Sequence, residues 1–240
     1  VASVPRPETR PLNYLALAEV ILLGGTATLL LSKWLRGQLS FYIHPRYTAL
    51  MVVAAVVLLL MAAVRLRAVF DGPGGRLSWA YLLLATPLLL GTLVPAQPLG
   101  ADTLAGRGVE LNSIAPSGRA ATPVGDTTRW NLLDWSNALT MRGGDLAGSQ
   151  ADVVGFVFHD EKLGPDAFYV VRYVVTCCAA DGAGVGLPVR WAGGGDLPEN
   201  GWVRVRGAIA VASLAGAEQP VLQAEAVEPV DQPESPYLYP

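Results

Sequence analysis

The sequence predicts an α+β membrane protein in which about three transmembrane helices precede a small OB-like five-stranded β-barrel. Three observations predict it. Residues 1–100 contain three long apolar runs; after Ala151 the apolar pattern changes to a period of two; and the strand-like segments there carry internal glycines that suit the corners of a small barrel. Composition agrees, because 52% hydrophobic with only 15% charged residues is too apolar for an ordinary soluble chain. The implied organisation is a membrane anchor over 1–100, a linker and amphipathic helix over 101–150, and the β-domain with a C-terminal tail over 151–240.

Val1–Asn13 holds three prolines and mixed charge, which reads as an irregular tail. Tyr14–Leu31 (YLALAEVILLGGTATLLL) is close to the ~20 residues that cross a bilayer, and Lys33, Trp34 and Arg36 then mark an interface. No small-residue cleavage site follows a short core, so the run reads as a retained span. Glu19 is its one ionisable residue and either snorkels to the headgroups or faces a partner subunit. Gly24-Gly25 permits close helix approach.

Gly37–Tyr47 reads as a polar hairpin whose Phe41-Tyr-Ile-His-Pro-Arg-Tyr47 suits an interfacial aromatic belt, with Pro45 in the first turn of the next helix. His44 there is a ligand or proton relay, or simply an interfacial histidine. Thr48–Val64 is the second span, stopped by Arg65 and Arg67, and Asp71–Gly75 is a turn. Leu77–Val94 is the third, with Trp79 and Tyr81 at its entrance, Pro87 kinking it, and Pro95 and Pro98 ending it. With the N-terminus inside, five basic residues (Arg6, Arg10, Arg65, Arg67, Arg76) fall on the cytoplasmic side and three (Lys33, Arg36, Arg46) outside, which places the C-terminal half outside the cytoplasm.

Charge divides the chain as hydropathy does. Residues 1–100 carry eight Lys/Arg against three acids, whereas the rest holds nine against seventeen, an acidic balance that argues against a nucleic-acid backbone as partner. Gly100–Asp126 reads as a surface linker. Asp126–Leu139 reads as one capped amphipathic helix with Trp130, Leu133 and Asn137 aligned and Leu132, Trp135 and Leu139 beside them. Its tryptophans pack on the barrel or membrane surface, or cradle a ligand.

Five strand candidates follow: Asp152–His159, Phe168–Thr176, Gly186–Trp191, Trp202–Val211 and Val221–Val227. Gly155 and Gly207 fit bulges or sharp bends, and an OB-type Greek key accounts for this layout, with a β-sandwich as the alternative. In the second strand Val171, Tyr173, Val175 and Cys177 share one face, and Val170, Arg172, Val174, Thr176 and Cys178 the other. Val203 and Val205 point inward, Arg204 and Arg206 to solvent. If the second strand stayed regular through Cys178, the two sulfurs would point apart; they can act on one atom only if it ends first.

Cys177, Cys178 and Asp181, with His159 as a further ligand, form the one constellation that combines thiolate, carboxylate and imidazole. Such soft donors suit zinc or another thiophilic metal. A vicinal disulfide and a plain pair of small buried side chains are the alternatives. The glycine-rich stretches Gly182–Gly186 and Gly193–Gly195 lack a P-loop Lys-Ser/Thr and read as turns. With His44 and His159 the only imidazoles, no Ser-His-Asp arrangement can be assembled.

These residues resemble a YcgQ-like family of bacterial membrane proteins described as permease subunits. The resemblance spans nearly the whole chain and rests on Tyr42-Ile-His-Pro-Arg46, Asn131-Leu-Leu-Asp-Trp135, Val154-Gly-Phe-Val157, Arg172 with Val175-Thr-Cys-Cys-Ala-Ala-Asp181, and Pro233-Glu-Ser-Pro-Tyr-Leu238. It implies a partner that is a multispanning permease, and a link to metal homeostasis through a histidine-rich loop between the second and third spans. Here that loop, Arg65–Arg76, has no histidine.

The expectation is therefore a non-enzymatic accessory subunit of a permease-like or other membrane complex. It is a multi-pass protein of the cell membrane, with an extracytoplasmic β-domain for docking or scaffolding and no required cofactor. Glu19, His44, Arg46, Trp130 and Trp135 are the candidate contacts with partner or lipid. The alternative is a metal- or redox-handling protein that uses the vicinal cysteines; an oligonucleotide-binding module is disfavoured by the acidic charge.

Overall fold

The computed structural model describes residues 12–72, 78–107, 125–214 and 216–240. Most of the expected N-terminal tail, the end of the Asp71–Gly75 turn with Arg76, and most of the Gly100–Asp126 linker lie outside the described residues. The chain divides into two units: residues up to Ser40 with Pro45–Gln97, and Phe41–His44 with Pro98–Pro240.

Among the described residues, the first unit contains three α-helices. In α1 (Tyr14–Leu35) the Asn13 side chain accepts the Ala16 N–H at 3.0 Å, closing the N-terminus, and Lys33 sits in the last turn. α2 (Thr48–Ala68) follows a 3-10 turn at Pro45–Tyr47. It runs past Val64 to Ala68, because charge ends an apolar run without ending its backbone hydrogen bonds. α3 (Trp79–Leu93) starts at the Ser78 cap and continues through Pro87. α1 and the helical segment 45–68 are long and apolar enough to cross a membrane. α3, with 15 residues, extends only ~22 Å at ~1.5 Å per residue.

Small residues line the contacts in this unit. The buried positions of α1 and α2 are all alanines: Ala16, Ala27, Ala55 and Ala62. A Cβ on Gly25 would lie 2.7 Å from the Leu88 side chain, and one on Gly91 would lie 2.6 Å from that of Leu29, so each glycine of the α1–α3 pair admits a leucine from the other helix. The large apolar side chains point outward; Leu83 is 75% and Leu93 76% exposed.

The second unit is a six-stranded sheet with two short helices. β1 (Gln150–Phe158) pairs antiparallel with β2 (Ala167–Val174) and with β4 (Trp202–Leu214). β2 pairs antiparallel with β3 (Ala183–Arg190), and β4 with β5 (Ala217–Pro229). β5 lies parallel to β3 through Val189↔Leu222, so the pairings run β1–β2–β3–β5–β4 and return to β1. All five expected strands are present. A sixth, β6 (Tyr237–Leu238), adds in parallel to the end of β2 beyond its pairing with β1.

Gly207 lies opposite a bulge: the β4–β5 register shifts between Arg206, paired with Ala226, and Gly207, paired with Ala224, which leaves Glu225 of β5 as the extra residue, and an added Cβ on Gly207 would lie 2.0 Å from the Gln223 carbonyl oxygen. Gly155 marks no bulge. Its register with β4 is regular, and the glycine instead allows close approach of Val171, whose carbonyl oxygen would meet a Cβ at 2.6 Å.

Both faces of β2 are buried, which explains its nearly unbroken apolar run. Val170 and Val174 join Phe168, Leu187, Val205, Ile209 and Leu222 in one cluster. Val171, Tyr173 and Val175 join Phe156 and Tyr237 in the other. In β4, Val203 and Val205 are buried while Arg204 and Arg206 are exposed; Arg204 forks onto Asp152 at 2.7 and 2.5 Å, and Arg206 pairs with Glu228.

The region expected to be one helix is broken. Asp126 caps a 3-10 turn at Thr127–Arg129, Trp130 is extended, and α5 (Leu132–Arg142) starts afresh. Asn131 supplies the new start: its side chain accepts the Leu133 and Asp134 N–H groups at 2.8 and 3.1 Å, and Asp134 returns a bond to the Asn131 N–H at 3.0 Å. This break lets Trp130 and Trp135 both enter the core, edge to face at 5.0 Å. The expected linker also begins with structure. α4 (Ala101–Arg107) forms because Ala101 and Leu104 bury against the second cluster and the Asn200 side chain accepts the Ala101 N–H at 2.6 Å.

Candidate functional site

β2 ends at Val174, before the cysteines, so the strand alternation that would have pointed them apart stops in time. Thr176–Cys178 then turns into a short 3-10 segment at Ala179–Asp181. The cysteines are not joined in a disulfide, and the Cys177 thiol donates to the Cys178 sulfur at 3.7 Å; Cys177 is exposed and Cys178 half-buried.

Asp181 organises this turn. One carboxylate oxygen accepts the Thr176 N–H at 3.1 Å, and the other accepts those of Cys177 at 2.7 Å and Cys178 at 3.4 Å. Burial pushes its pKa up, but the Cys177 thiol and these three N–H groups outweigh burial and hold it below the usual carboxylate value. The same contact acts oppositely on the thiol: hydrogen bonding to Asp181, then to Cys178, pushes Cys177 up to about 11. Among the described residues, the donor atoms of Cys177, Cys178 and Asp181 lie within 4.8 Å of one another and form a group able to hold a metal ion.

His159 is not in that group. It follows β1, where its Nε2 lies 3.0 Å from the Leu197 carbonyl oxygen and 3.8 Å from Glu199. The expected fourth ligand is thus engaged elsewhere.

A segment far back in the chain completes the turn. Ile43 forms an antiparallel bridge with Cys178; the His44 N–H donates to the Cys177 carbonyl at 3.0 Å, and the Ala179 N–H to that of Tyr42 at 2.8 Å. The C-terminus closes the other side. The Tyr237 hydroxyl donates to the Phe41 carbonyl at 3.1 Å and accepts the Leu99 N–H at 2.8 Å, the Val175 N–H donates to Leu238, and the His44 ring meets that of Tyr239 at 4.4 Å. Arg172 ties the tail down, donating to the carbonyls of Pro236 at 3.2 Å, Tyr237 at 3.4 Å and Ser235. Three of the stretches that carry the family resemblance, around His44, Cys177 and Tyr237, therefore meet at one place. Pairing of Phe41–His44 with the cysteine turn was missed from sequence, since two backbone bonds leave no periodic trace; Tyr42, Ile43 and Tyr237 were signalled only by belonging to those stretches.

The other candidates lie elsewhere. Glu19 is matched within its own unit: Arg65 of α2 approaches at 2.5 Å and the Tyr81 hydroxyl of α3 donates at 3.2 Å. These three groups line a groove of about 770 Å³ with Leu23, Val57 and Met61. The Arg46 guanidinium sits 4.9 Å from the Tyr47 ring centre. Trp130 and Trp135, expected among the contacts with partner or lipid, are instead buried in the core and packed on the sheet, which leaves too little indole surface for such a contact.

Apolar helices ahead of a six-stranded unit with a cysteine turn define a two-part chain, and the comparisons with known proteins also divide it in two. Residues 18–110 match the DUF1980 N-terminal domain and residues 126–240 the DUF1980 C-terminal domain. The chain belongs to the DUF1980 family. A Streptococcus mutans protein, which carries the provisional name two-component membrane permease complex subunit, is 22% identical over 267 residues, covering 91% of this chain and 97% of that one. No solved structure matches the chain.

Proposed function

We propose that this protein is a non-enzymatic accessory subunit of a membrane permease complex, anchored by α1, α2 and α3, with its β-unit on the extracytoplasmic side for docking or scaffolding. The observation that carries the reading is the inverted apolarity of the first unit. The buried positions of α1 and α2 are alanines while many of the unit's leucines and valines project outward, an arrangement water penalises and lipid or neighbouring helices accept. The Glu19–Arg65–Tyr81 cluster fits this reading, because ionisable groups within a bilayer pair with one another. α3 is short, but its apolar run continues in extended backbone through Val94, which supports a third crossing.

In the second unit, the strand order β1–β2–β3–β5–β4–β1 with a parallel β3–β5 contact supports the reading of an OB-type barrel. Its acidic surface turns the fold toward protein contacts and away from nucleic acid. The name of the Streptococcus mutans relative supports a membrane-protein partner.

Purification of the tagged full chain from native membranes in mild detergent tests the reading. A multispanning protein recovered in stoichiometric amount is expected; a lone monomer overturns it. A C-terminal alkaline phosphatase fusion tests the orientation: activity is expected, and an inactive but well-expressed fusion reverses the placement.

A further inference from the structure

We infer that Cys177, Cys178 and Asp181 bind one thiophilic divalent cation of the zinc class, through two sulfurs and one carboxylate oxygen, with a fourth coordination position left open. The inference rests on the turn itself and goes beyond the accessory-subunit reading.

Geometry supports it first. A tetrahedral ion with metal–sulfur bonds of ~2.3 Å separates two of its sulfur ligands by ~3.8 Å. The two sulfurs here stand 3.7 Å apart with no disulfide between them. The carboxylate belongs to the same group, within the 4.8 Å that encloses all three donor atoms. The turn therefore needs little rearrangement to accept an ion.

Preorganisation supports it next. A carboxylate offers about four lone-pair positions. The N–H groups of Thr176, Cys177 and Cys178 use three, which fixes the carboxylate plane, and the fourth, which the Cys177 S–H occupies, passes to the cation when that thiol gives up its proton. The backbone around the thiols is held from both sides, by the Ile43 bridge and by the Val175–Leu238 bond, so the donors sit on a braced turn.

Ligand chemistry selects the ion. Calcium and magnesium require oxygen shells, whereas two sulfurs favour zinc, copper(I) or cadmium. Charge balance then favours a divalent ion, since two thiolates and one carboxylate leave a single negative charge on the site. Binding displaces one proton from each thiol and forms two metal–sulfur bonds with no change of oxidation state. Structural zinc sites close with four protein ligands; three ligands and an exposed Cys177 leave room for water or for a donor from another protein.

The test uses the full chain in detergent, reduced and stripped with a chelator. Zinc is titrated against a competing chromophoric chelator, and cobalt(II) serves as the spectroscopic substitute. One ion per chain and an intense sulfur-to-cobalt charge-transfer band with tetrahedral ligand-field bands are expected. Cys177→Ser and Cys178→Ser should each weaken zinc by roughly 100-fold or more and bleach the charge-transfer band. His159→Ala should bind as the parent does. Asp181→Glu, which keeps a carboxylate if the turn tolerates it, should retain the band, and circular dichroism reports whether each variant is folded. Absence of binding at micromolar zinc, a cobalt spectrum without the sulfur band, or folded serine variants that bind as the parent does would each overturn the inference.

Discussion

Ile43 and Cys178 are bridged backbone to backbone, so the connection between the first two helices supplies an edge for the turn that presents the thiols. The neighbouring His44 N–H donates to the Cys177 carbonyl. His44→Pro removes that donor, whereas His44→Ala keeps it and removes the ring packed on Tyr239. The proline variant should lose about 1 kcal/mol from the turn and speed hydrogen exchange at the Ala179 amide, with a smaller effect in the alanine variant. Hydrogen-exchange mass spectrometry of the full chain checks this; equal protection in both variants contradicts the role given to the backbone bond.

Thiol reactivity should follow the Asp181 hydrogen bond. Cys177 is pushed up to about 11 from an ordinary value of 9.0, so at neutral pH it is protonated and alkylates slowly despite its exposure. The sign for stability is the same: the bonded thiol favours the folded state below about 9, and that contribution disappears as pH rises through about 11. Asp181→Asn should speed iodoacetamide labelling of Cys177 at pH 8. Labelling followed by peptide mapping decides it, and an unchanged rate removes Asp181 as the cause.

Arg172 should act as the latch of the C-terminal tail. It donates to three successive carbonyls, Ser235 to Tyr237, and lies 5.7 Å from the Trp202 ring centre. Lysine lacks the planar fork that reaches several oxygens at once. Arg172→Lys should therefore cost roughly 1.5–3 kcal/mol and open Pro233–Pro240 to carboxypeptidase. A tail as resistant as in the parent argues against the latch.

Trp135 should tolerate a change of chemistry better than a loss of volume. It is fully buried, and its indole nitrogen has no hydrogen-bond partner within the described structure. Trp135→Ala should cost about 3–5 kcal/mol in chemical denaturation, and Trp135→Phe well under half of that, because the ring contact with Trp130 survives. Equal losses would mean that the indole N–H is satisfied after all.

Much of this was legible in the sequence. The five main strands followed from period and composition, and β4 turned Val203 and Val205 inward and Arg204 and Arg206 outward as alternation requires. The helices of the first unit followed from apolar runs, although α1 and α2 both outlast theirs. Features that depend on distant partners left no local pattern. Ala101 and Leu104 are too few to announce a helix, yet the sheet surface they cover stabilises one. Trp130 breaks the helical register because the core takes it. His159 belongs to the right chemical type for a ligand set with the cysteines, but residue type carries no information on which loop an imidazole joins; here Leu197 and Glu199 engage it.

Because Phe41–His44 folds with the C-terminal half, the natural cutting point after the third helix does not separate one self-sufficient piece from another. A fragment beginning at Pro98 would leave the Cys177 carbonyl, the Ala179 amide and the Tyr237 hydroxyl each short of a mate. On the ribosome, the same four residues wait through most of translation before their counterpart emerges, so this small patch of backbone is among the last to be sealed.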